Sequence, residues 1–188
     1  MVEANPNCEP YLGLLNRPYE MIALSDKEGY ADLYLELINP LATGASLYKE
    51  NTGWYGEGKY KTITVPTRTL DSRNYFDRDT IDFIKIDVQG AELDILKGGE
   101  RTIKRTKYVL AEVSLVKYNE GAPMIGDVVD KMREYGFKMV DILEYHYLYH
   151  QLLFYYVRHI LLLEPYTSFL YQLLLLNLCC VDVKDIQR

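Results

Sequence analysis

A short, densely apolar segment near the middle of the chain constrains the fold more than any other feature. Residues 81–88 read IDFIKIDV, a density of Ile, Val and Phe typical of a parallel strand covered on both faces. Gly90 predicts a turn directly after this strand, and residues 91–97 predict a helix that Gly98 and Gly99 end. A buried strand followed at once by a helix predicts an α/β fold.

The rest of the chain continues this alternation. Further strands are predicted at 2–3, 19–24, 30–37, 60–65 and 107–113, an amphipathic helix at 125–135, and a closing strand pair at 137–143 and 152–157. In strand 30–37 the apolar face is expected to carry Leu33, Leu35 and Leu37. These elements predict one domain over residues 1–158 with a largely parallel sheet, and the chain is long enough to bury a substantial core.

Charge and cysteine content narrow the functional classes. The formal net charge of −6 argues against a nucleic-acid partner, because phosphate binding favours a basic excess. The clearest basic stretch, residues 97–107, contains Gly and Glu and is typical of a solvated helix surface. Cys8, Cys179 and Cys180 do not form a disulfide framework, which favours a reducing compartment and a cytoplasmic location.

Residues 159–188 form a hydrophobic C-terminal tail of a different character. Its segment 160–181 is rich in Leu and Tyr, but the uncharged stretch 166–181 is shorter than the ~20 residues that a membrane-spanning helix needs. We expect a helix that packs on the domain or is covered by a partner. Peripheral membrane contact through residues 160–181 is the alternative.

Polar residues collect where the predicted strands end, which is where ligands bind in open α/β sheets. They are Glu3, Ser25, Asp26, Asp87, Glu92 and Glu112. Such a collection at one edge of a sheet is typical of a site rather than of a core. The sequence therefore places the candidate site at this edge.

The acidic members of this set each have a functional and a structural interpretation. Glu3 can accept hydrogen bonds from both hydroxyls of a ribose, or it favours the dipole of the helix that Asn5 and Pro6 begin. Asp87 can orient a hydroxyl, take its proton or hold a divalent cation, or it caps a helix beginning at Gly90. Glu92 is alternatively only a first-turn helix acid.

Two histidines near the closing strand pair are further candidates. His146 and His150 could supply a general base, although exposed loop histidines without a catalytic role are commoner.

These residues make a family resemblance visible. Residues 81–93, running on to Leu96-Lys97-Gly98, resemble the signature segment of the FkbM methyltransferases. Shorter pieces are similar to the family in the same order: Glu3-Ala4-Asn5-Pro6, Ala23-Leu24-Ser25-Asp26 then Gly29, Ala45-Ser46-Leu47, Thr69-Leu70-Asp71, Glu112-Val113 and Tyr135-Gly136-Phe137. The resemblance covers roughly residues 2–158, and its strength lies in the ordered set.

The resemblance implies a Rossmann-like class I fold, with a mostly parallel sheet and a C-terminal antiparallel hairpin. It implies S-adenosylmethionine as cofactor and methyl transfer to a hydroxyl of a sugar, lipid or secondary metabolite. Glu3 would bind the ribose, Ser25 and Asp26 would lie near the adenine, and Asn5 would be a further cofactor-binding residue.

By the same resemblance, Asp87 and Glu92 would face the acceptor, a small molecule or glycan, with Glu112 in support. Because the cofactor's sulfonium already activates the methyl group, the protein has to position the acceptor and remove its proton. These carboxylates are also candidate ligands for a divalent metal ion. The resemblance assigns no oligomeric state.

The chain departs from the family pattern in two places. Gln89 stands where the family usually has Glu, and a neutral amide cannot act as a base or strong metal ligand. The family's first strand and glycine-rich cofactor loop precede the strand that ends at Glu3, so we expect an N-terminally incomplete sheet. Two functions follow: an O-methyltransferase, or a non-catalytic remnant that acts as a binding or scaffolding protein.

Overall fold

The computed structural model describes residues 1–38, 41, 44–51, 58–73, 80–117, 119–146 and 151–158. The strands in these ranges are β1 (Val2–Glu3), β2 (Glu20–Met21), β3 (Ala23–Leu24), β4 (Gly29–Glu36), β5 (Tyr60–Arg68), β6 (Ile81–Ile86), β7 (Thr106–Ser114), β8 (Lys138–His146) and β9 (Gln151–Val157). The α-helices there are α1 (Glu9–Leu12), α2 (Glu92–Gly98), α3 (Glu100–Lys104) and α4 (Ile125–Glu134).

Strands and helices together form an α/β fold, as predicted. The described strands do not, however, form one mostly parallel sheet. In the described ranges they make three sheets, with the orders β1-β2, β3-β5-β4 and β6-β7-β9-β8. β1-β2, β3-β5 and β6-β7 are parallel, whereas β4-β5, β7-β9 and β8-β9 are antiparallel. The reversal at β4 has a local cause, because residues 25–28 are too few for a parallel crossover, which needs about a dozen residues.

The predicted C-terminal antiparallel hairpin is confirmed. β8 and β9 pair antiparallel, and β9 inserts between β7 and β8. α4 precedes this hairpin, and Gly136 follows its last turn with φ 86°, a left-handed conformation that glycine adopts without strain.

Two hydrophobic clusters bury the sheets. The larger cluster packs α2, α3 and α4 on β6, β7 and β9, and the smaller one lies around β3, β4 and β5. Ala23 belongs to the smaller cluster, while its neighbour Leu24 packs against the larger one. Since successive strand residues point to opposite faces, β3 is covered from both sides.

Two details of the predicted strands are wrong. Residues 19–24 were expected to form one buried strand, but they form β2 and β3 in separate sheets, and only Ala23 among them is buried. Leu37 was expected on the apolar face of β4, but β4 ends at Glu36 and Leu37 is 48% exposed. Leu33 and Leu35 do lie in the core.

The tail 159–188 lies outside the described residues, including Cys179, Cys180 and the predicted membrane-contact segment 160–181. Among the residues that are described, the structure contains no helix of the length and apolarity needed to cross a membrane. Cys8 is a buried free thiol.

Candidate functional site

The predicted carboxylates lie at or near the ends of strands and influence one another electrostatically. Glu3 ends β1, Asp87 follows β6, Glu92 begins α2, and Glu112 lies near the end of β7. Their mutual influence is electrostatic: burial raises the pKa of Glu3, and the negative charge of Asp87 adds to that increase. Asp87 and Glu112 also disfavour ionisation of Glu92. Strands from different parts of the chain thus bring these four acids within electrostatic range.

Glu92 is the most deeply buried of them, with 2% of its surface exposed. Its Oε1 accepts the backbone N–H of Gly90 at 2.9 Å, while its Oε2 is buried and has no hydrogen-bond partner. Burial is the largest cause that raises the pKa of Glu92 to about 7. Glu92 is the first residue of α2, where an acid is expected at a helix start. Its side chain nevertheless points inward, and burial places its pKa near neutrality.

Asp87 is exposed and held from two sides. Lys85 Nζ lies 3.0 Å from Asp87 Oδ2, and Gln89 Nε2 donates to Asp87 Oδ1 at 3.3 Å. The N-cap of α2 is Ala91 and receives no side-chain cap. Asp87 therefore does not cap the helix, and its oriented carboxylate can accept a hydrogen bond from a hydroxyl group.

The turn after β6 has an unusual backbone. Gln89 has φ 53° and Gly90 has φ 108°, so both lie in the left-handed region, which is rare for a residue with a side chain. The carbonyl of Gln89 accepts hydrogen bonds from Ser46 Oγ and Asn119 Nδ2, each at 2.6 Å. A Cβ on Gly90 would lie 3.0 Å from the Cβ of Ala122, so a larger residue would crowd this turn.

Ser46 and Asn119 were not predicted as site residues. Ser46 stands in a segment that resembles the family, which was a usable signal, but nothing in the local sequence pattern marked Asn119. Both are buried, and they reach the turn from segments far from it in sequence.

At the start of the chain, the predicted cofactor residues form a small backbone-binding network. Glu3 Oε1 accepts the N–H of Asn5 at 2.7 Å, and Asn5 Oδ1 accepts the N–H of Asn7 at 3.0 Å. Asn5 thereby caps the 3-10 turn Pro6–Cys8, as its sequence position indicates. A ribose role for Glu3 and a cofactor-binding role for Asn5 stay predictions.

Ser25 and Asp26, predicted near the adenine, follow β3. Ser25 is buried, Asp26 is exposed, and Ser25 Oγ donates to Asp26 Oδ1 at 3.3 Å. Tyr48, which was not predicted, donates its hydroxyl to Asp94 Oδ2 at 2.6 Å. Burial, then this hydrogen bond and the charges of Asp94, Asp26 and Glu92, raise the pKa of Tyr48.

Across the part of the chain that the structure describes, no group of three or more His, Cys, Asp or Glu residues is arranged to hold a metal ion. The side chain of His146 and the whole of His150 lie outside that part.

Comparison with known proteins agrees with the family resemblance. Residues 1–139 match the Methyltransferase FkbM domain. A 2-O-methyltransferase NoeI from Sinorhizobium fredii is 36% identical over 69 residues, which cover 36% of this chain and 28% of that protein. No solved structure matches the chain. Because the domain match spans well over half of the sequence, the chain belongs to the FkbM methyltransferase family.

Proposed function

We propose that this chain contributes to an S-adenosylmethionine-dependent O-methyltransferase that acts on a hydroxyl of a sugar, lipid or other small molecule. The observation that carries the proposal is Asp87, an exposed carboxylate with one oxygen held by Lys85 and the other by Gln89, at the strand edge of an FkbM domain. The similarity to a 2-O-methyltransferase supports oxygen as the methylated atom, although the match spans only 28% of that protein.

The strand arrangement supports a class I methyltransferase fold. The parallel pair β6-β7, with β9 inserted antiparallel between β7 and β8, fits the sheet with a closing antiparallel hairpin that the family resemblance implies. Glu3 ends β1 in a separate two-stranded sheet, and the negative charge of Asp87 acts on it. Cofactor and acceptor would therefore meet between them.

The chain's own residues have separate tasks in this reaction. S-adenosylmethionine would supply a methyl group already activated on a sulfonium. Glu3 would accept hydrogen bonds from the ribose hydroxyls, and Ser25 and Asp26 would line the adenine side. Asp87 would orient the acceptor hydroxyl and take its proton.

The remaining acids adjust the charge of the site. Glu92 stays partly protonated at neutral pH because burial raises its pKa to about 7, which limits the negative charge beside Asp87. Glu112 supports the site through its charge, which acts on Glu92.

Isothermal titration of the folded chain with S-adenosylmethionine tests the proposal. We expect saturable binding that Glu3→Gln weakens by about 10- to 100-fold, the loss expected for hydrogen bonds to a charged group. Glu9→Gln is the matched control, because Glu9 is an exposed acid in the adjacent helix α1. Absence of binding heat at millimolar cofactor in a folded sample would rule out the methyltransferase role for this chain alone.

A second candidate is a binding or scaffolding protein that keeps the methyltransferase fold without catalysis. Gln89 favours it, because this position carries a neutral amide where the family usually has a carboxylate. The apolar segment 160–181 adds peripheral membrane contact to this candidate. Co-sedimentation with liposomes, comparing the full chain with a chain truncated after Arg158, tests that contact, and equal partitioning of the two would remove it.

A further inference from the structure

We propose that Ser46 and Asn119 are positioning residues that orient the Asp87 carboxylate through Gln89. The contacts run from two buried side chains to the carbonyl of Gln89, and from the Gln89 side chain to Asp87. A catalytic role for the oriented carboxylate rests on the proposed function. The series of contacts itself does not depend on that function.

The first step is the backbone of Gln89. Its φ of 53° places a residue with a side chain in the left-handed region, where its Cβ is sterically disfavoured. Such a conformation persists only where the surroundings hold it, and it clusters at functional sites. The turn therefore needs an external restraint.

Ser46 and Asn119 supply that restraint. Both donate to the carbonyl of Gln89 at 2.6 Å, and Asn119 Nδ2 also donates to Ser46 Oγ at 3.2 Å. The three polar groups form a closed triangle, and both donors are almost fully buried, with 2% of Ser46 and 5% of Asn119 exposed. A buried hydrogen bond of this kind is costly to break, since its partner is left unsatisfied.

The donors are themselves fixed to other parts of the fold. Ser46 exchanges backbone hydrogen bonds with Tyr34 of β4, at 2.8 and 3.2 Å. Asn119 forms an antiparallel bridge with Glu50, four residues beyond Ser46. The restraint on Gln89 is therefore anchored to β4 through Ser46 and to the segment around Glu50 through Asn119, whereas Asp87 directly follows β6.

The last step leads from Gln89 to the carboxylate. Gln89 Nε2 holds Asp87 Oδ1 at 3.3 Å, and Lys85 Nζ lies 3.0 Å from Oδ2. With one oxygen held on each side, the carboxylate plane is set by two residues, and only Gln89 depends on the turn. Releasing the turn is expected to free Oδ1 and let Asp87 rotate towards Lys85.

Nuclear magnetic resonance of the full, isotopically labelled chain tests this without cofactor. The signals to follow are the two side-chain amide protons of Gln89, which report its hydrogen bond to Asp87. We expect Ser46→Ala and Asn119→Ala to move these signals to the positions of a solvated glutamine and to speed their exchange with water. Ser46→Thr keeps the donating hydroxyl and should retain the wild-type signals.

Ser72→Ala is the matched control. Ser72 Oγ also donates to a backbone carbonyl, that of Thr69 at 2.9 Å, but in an exposed turn. If Asn119→Ala does not fold, Asn119→Asp has nearly the same shape, replaces the donating amide with an acceptor, and should give the same change. Unchanged Gln89 side-chain signals in a folded variant that lacks either donor would overturn the proposal.

The outcome is separable from that of the proposed function. If the chain fails to bind S-adenosylmethionine but its Gln89 side-chain signals shift in Ser46→Ala, the positioning role stands and the methyltransferase role is lost. Where methyl transfer is measurable, both alanine variants should lower kcat and leave the dissociation constant of S-adenosylmethionine unchanged. A purely structural role would leave the Gln89 signals of the folded variants unchanged. It would also not lower kcat while leaving cofactor binding unchanged.

Discussion

Glu92 shows how one residue combines a local role with a cost set by its surroundings. Its Oε1 satisfies the N–H of Gly90, but its Oε2 is buried without a partner. Burial of the charged form is unfavourable, and burial is the main reason why the pKa of Glu92 rises from 4.5 to about 7. The sequence identified Glu92 as a candidate, yet only its burial reveals a titration near neutral pH.

Glu92→Gln is expected to change how stability depends on pH. Between pH 4.5 and 7 the folded chain keeps the Glu92 proton that the unfolded chain has lost, so stability falls as pH rises across this window. The free energy of unfolding is expected to fall by about 3 kcal/mol in total across this window. This fall should be absent in Glu92→Gln, because glutamine has no proton to lose. Urea denaturation of both proteins at several pH values measures the difference.

Two features make this comparison specific. Glu50, whose pKa burial also raises to about 7, is present in both proteins and cancels in the difference. Glu9→Gln, at an exposed position, should run parallel to the wild type. A constant difference between wild type and Glu92→Gln from pH 4.5 to 7 would show that Glu92 titrates normally.

At the scale of elements, the glycine pair at the end of α2, where Gly98 is its last residue and Gly99 its C-cap, does more than end a helix. A Cβ on Gly98 would lie 2.1 Å from the carbonyl oxygen of Ser25, and a Cβ on Gly99 would lie 2.8 Å from Leu70 Cδ2. The sequence predicted the helix end from these glycines. It did not predict that the end of α2 packs against the Ser25 turn, because that contact joins residues far apart in the chain.

Gly98→Ala should therefore destabilise the protein by about 1–3 kcal/mol or more, since the backbone of Ser25 has to move. Gly126→Ala is the matched control of opposite sign. Gly126 lies in the first turn of α4 with nothing within 4 Å of the added Cβ, so alanine should stabilise by up to about 1 kcal/mol through helix propensity. Thermal unfolding of the two variants gives the comparison, and equal effects would contradict the packing argument.

Asp71 is a cap that one element provides for another. Its carboxylate accepts the backbone N–H groups of Arg101 and Thr102, at 2.9 and 2.8 Å, at the start of α3. Burial opposes ionisation of Asp71, but the hydrogen bonds from Thr102 and Arg101 outweigh it and lower its pKa below 3.8. Its stabilising effect is therefore present above pH 3.8 and is lost as pH falls through the lowered pKa.

Asp71→Ala should lower the free energy of unfolding at neutral pH by about 1–2 kcal/mol, the usual value of an N-terminal helix cap. Asp130→Ala is a suitable comparison, because Asp130 is an acid in helix α4 whose salt bridge with Arg133 is exposed. For this variant we expect the free energy of unfolding to fall by less than ~1 kcal/mol. Chemical denaturation at pH 7 measures both. Equal losses would mean that the Asp71 cap has no special weight.

At the scale of the whole molecule, the two hydrophobic clusters share β3. Ala23 packs in the smaller cluster and Leu24 against the larger one, so neither cluster can open without exposing this strand. The Gln89 turn adds a polar link, because its carbonyl is held from the β4 side by Ser46. The three sheets are therefore expected to unfold together.

Leu33→Ala and Leu96→Ala test this cooperativity, one in each cluster, at side chains that are almost fully buried. Each should cost about 2–5 kcal/mol, and each variant should still unfold in one transition. Far-ultraviolet circular dichroism and tyrosine fluorescence should give the same midpoint. An early separate transition in Leu33→Ala alone would show that the clusters are independent units.

Features that depend on local sequence pattern could be predicted before the structure. The density of apolar residues predicted β6, the glycines bounded α2, and the polar residues at strand ends predicted Glu3, Asp87, Glu92 and Glu112 as candidate site residues. The ordered motifs predicted the FkbM family. These signals lie within a few residues of one another, where strand and helix periodicity act.

Tertiary structure alone decided the rest, because the contacts join distant residues. Ser46 lies 43 residues before Gln89, and Asn119 lies 73 residues after Ser46, so no local pattern pairs them. The split of 19–24 into β2 and β3 depends on which neighbours each half finds, β1 for one and β5 for the other. Burial of Glu92, and with it the raised pKa, exists only once these elements have packed.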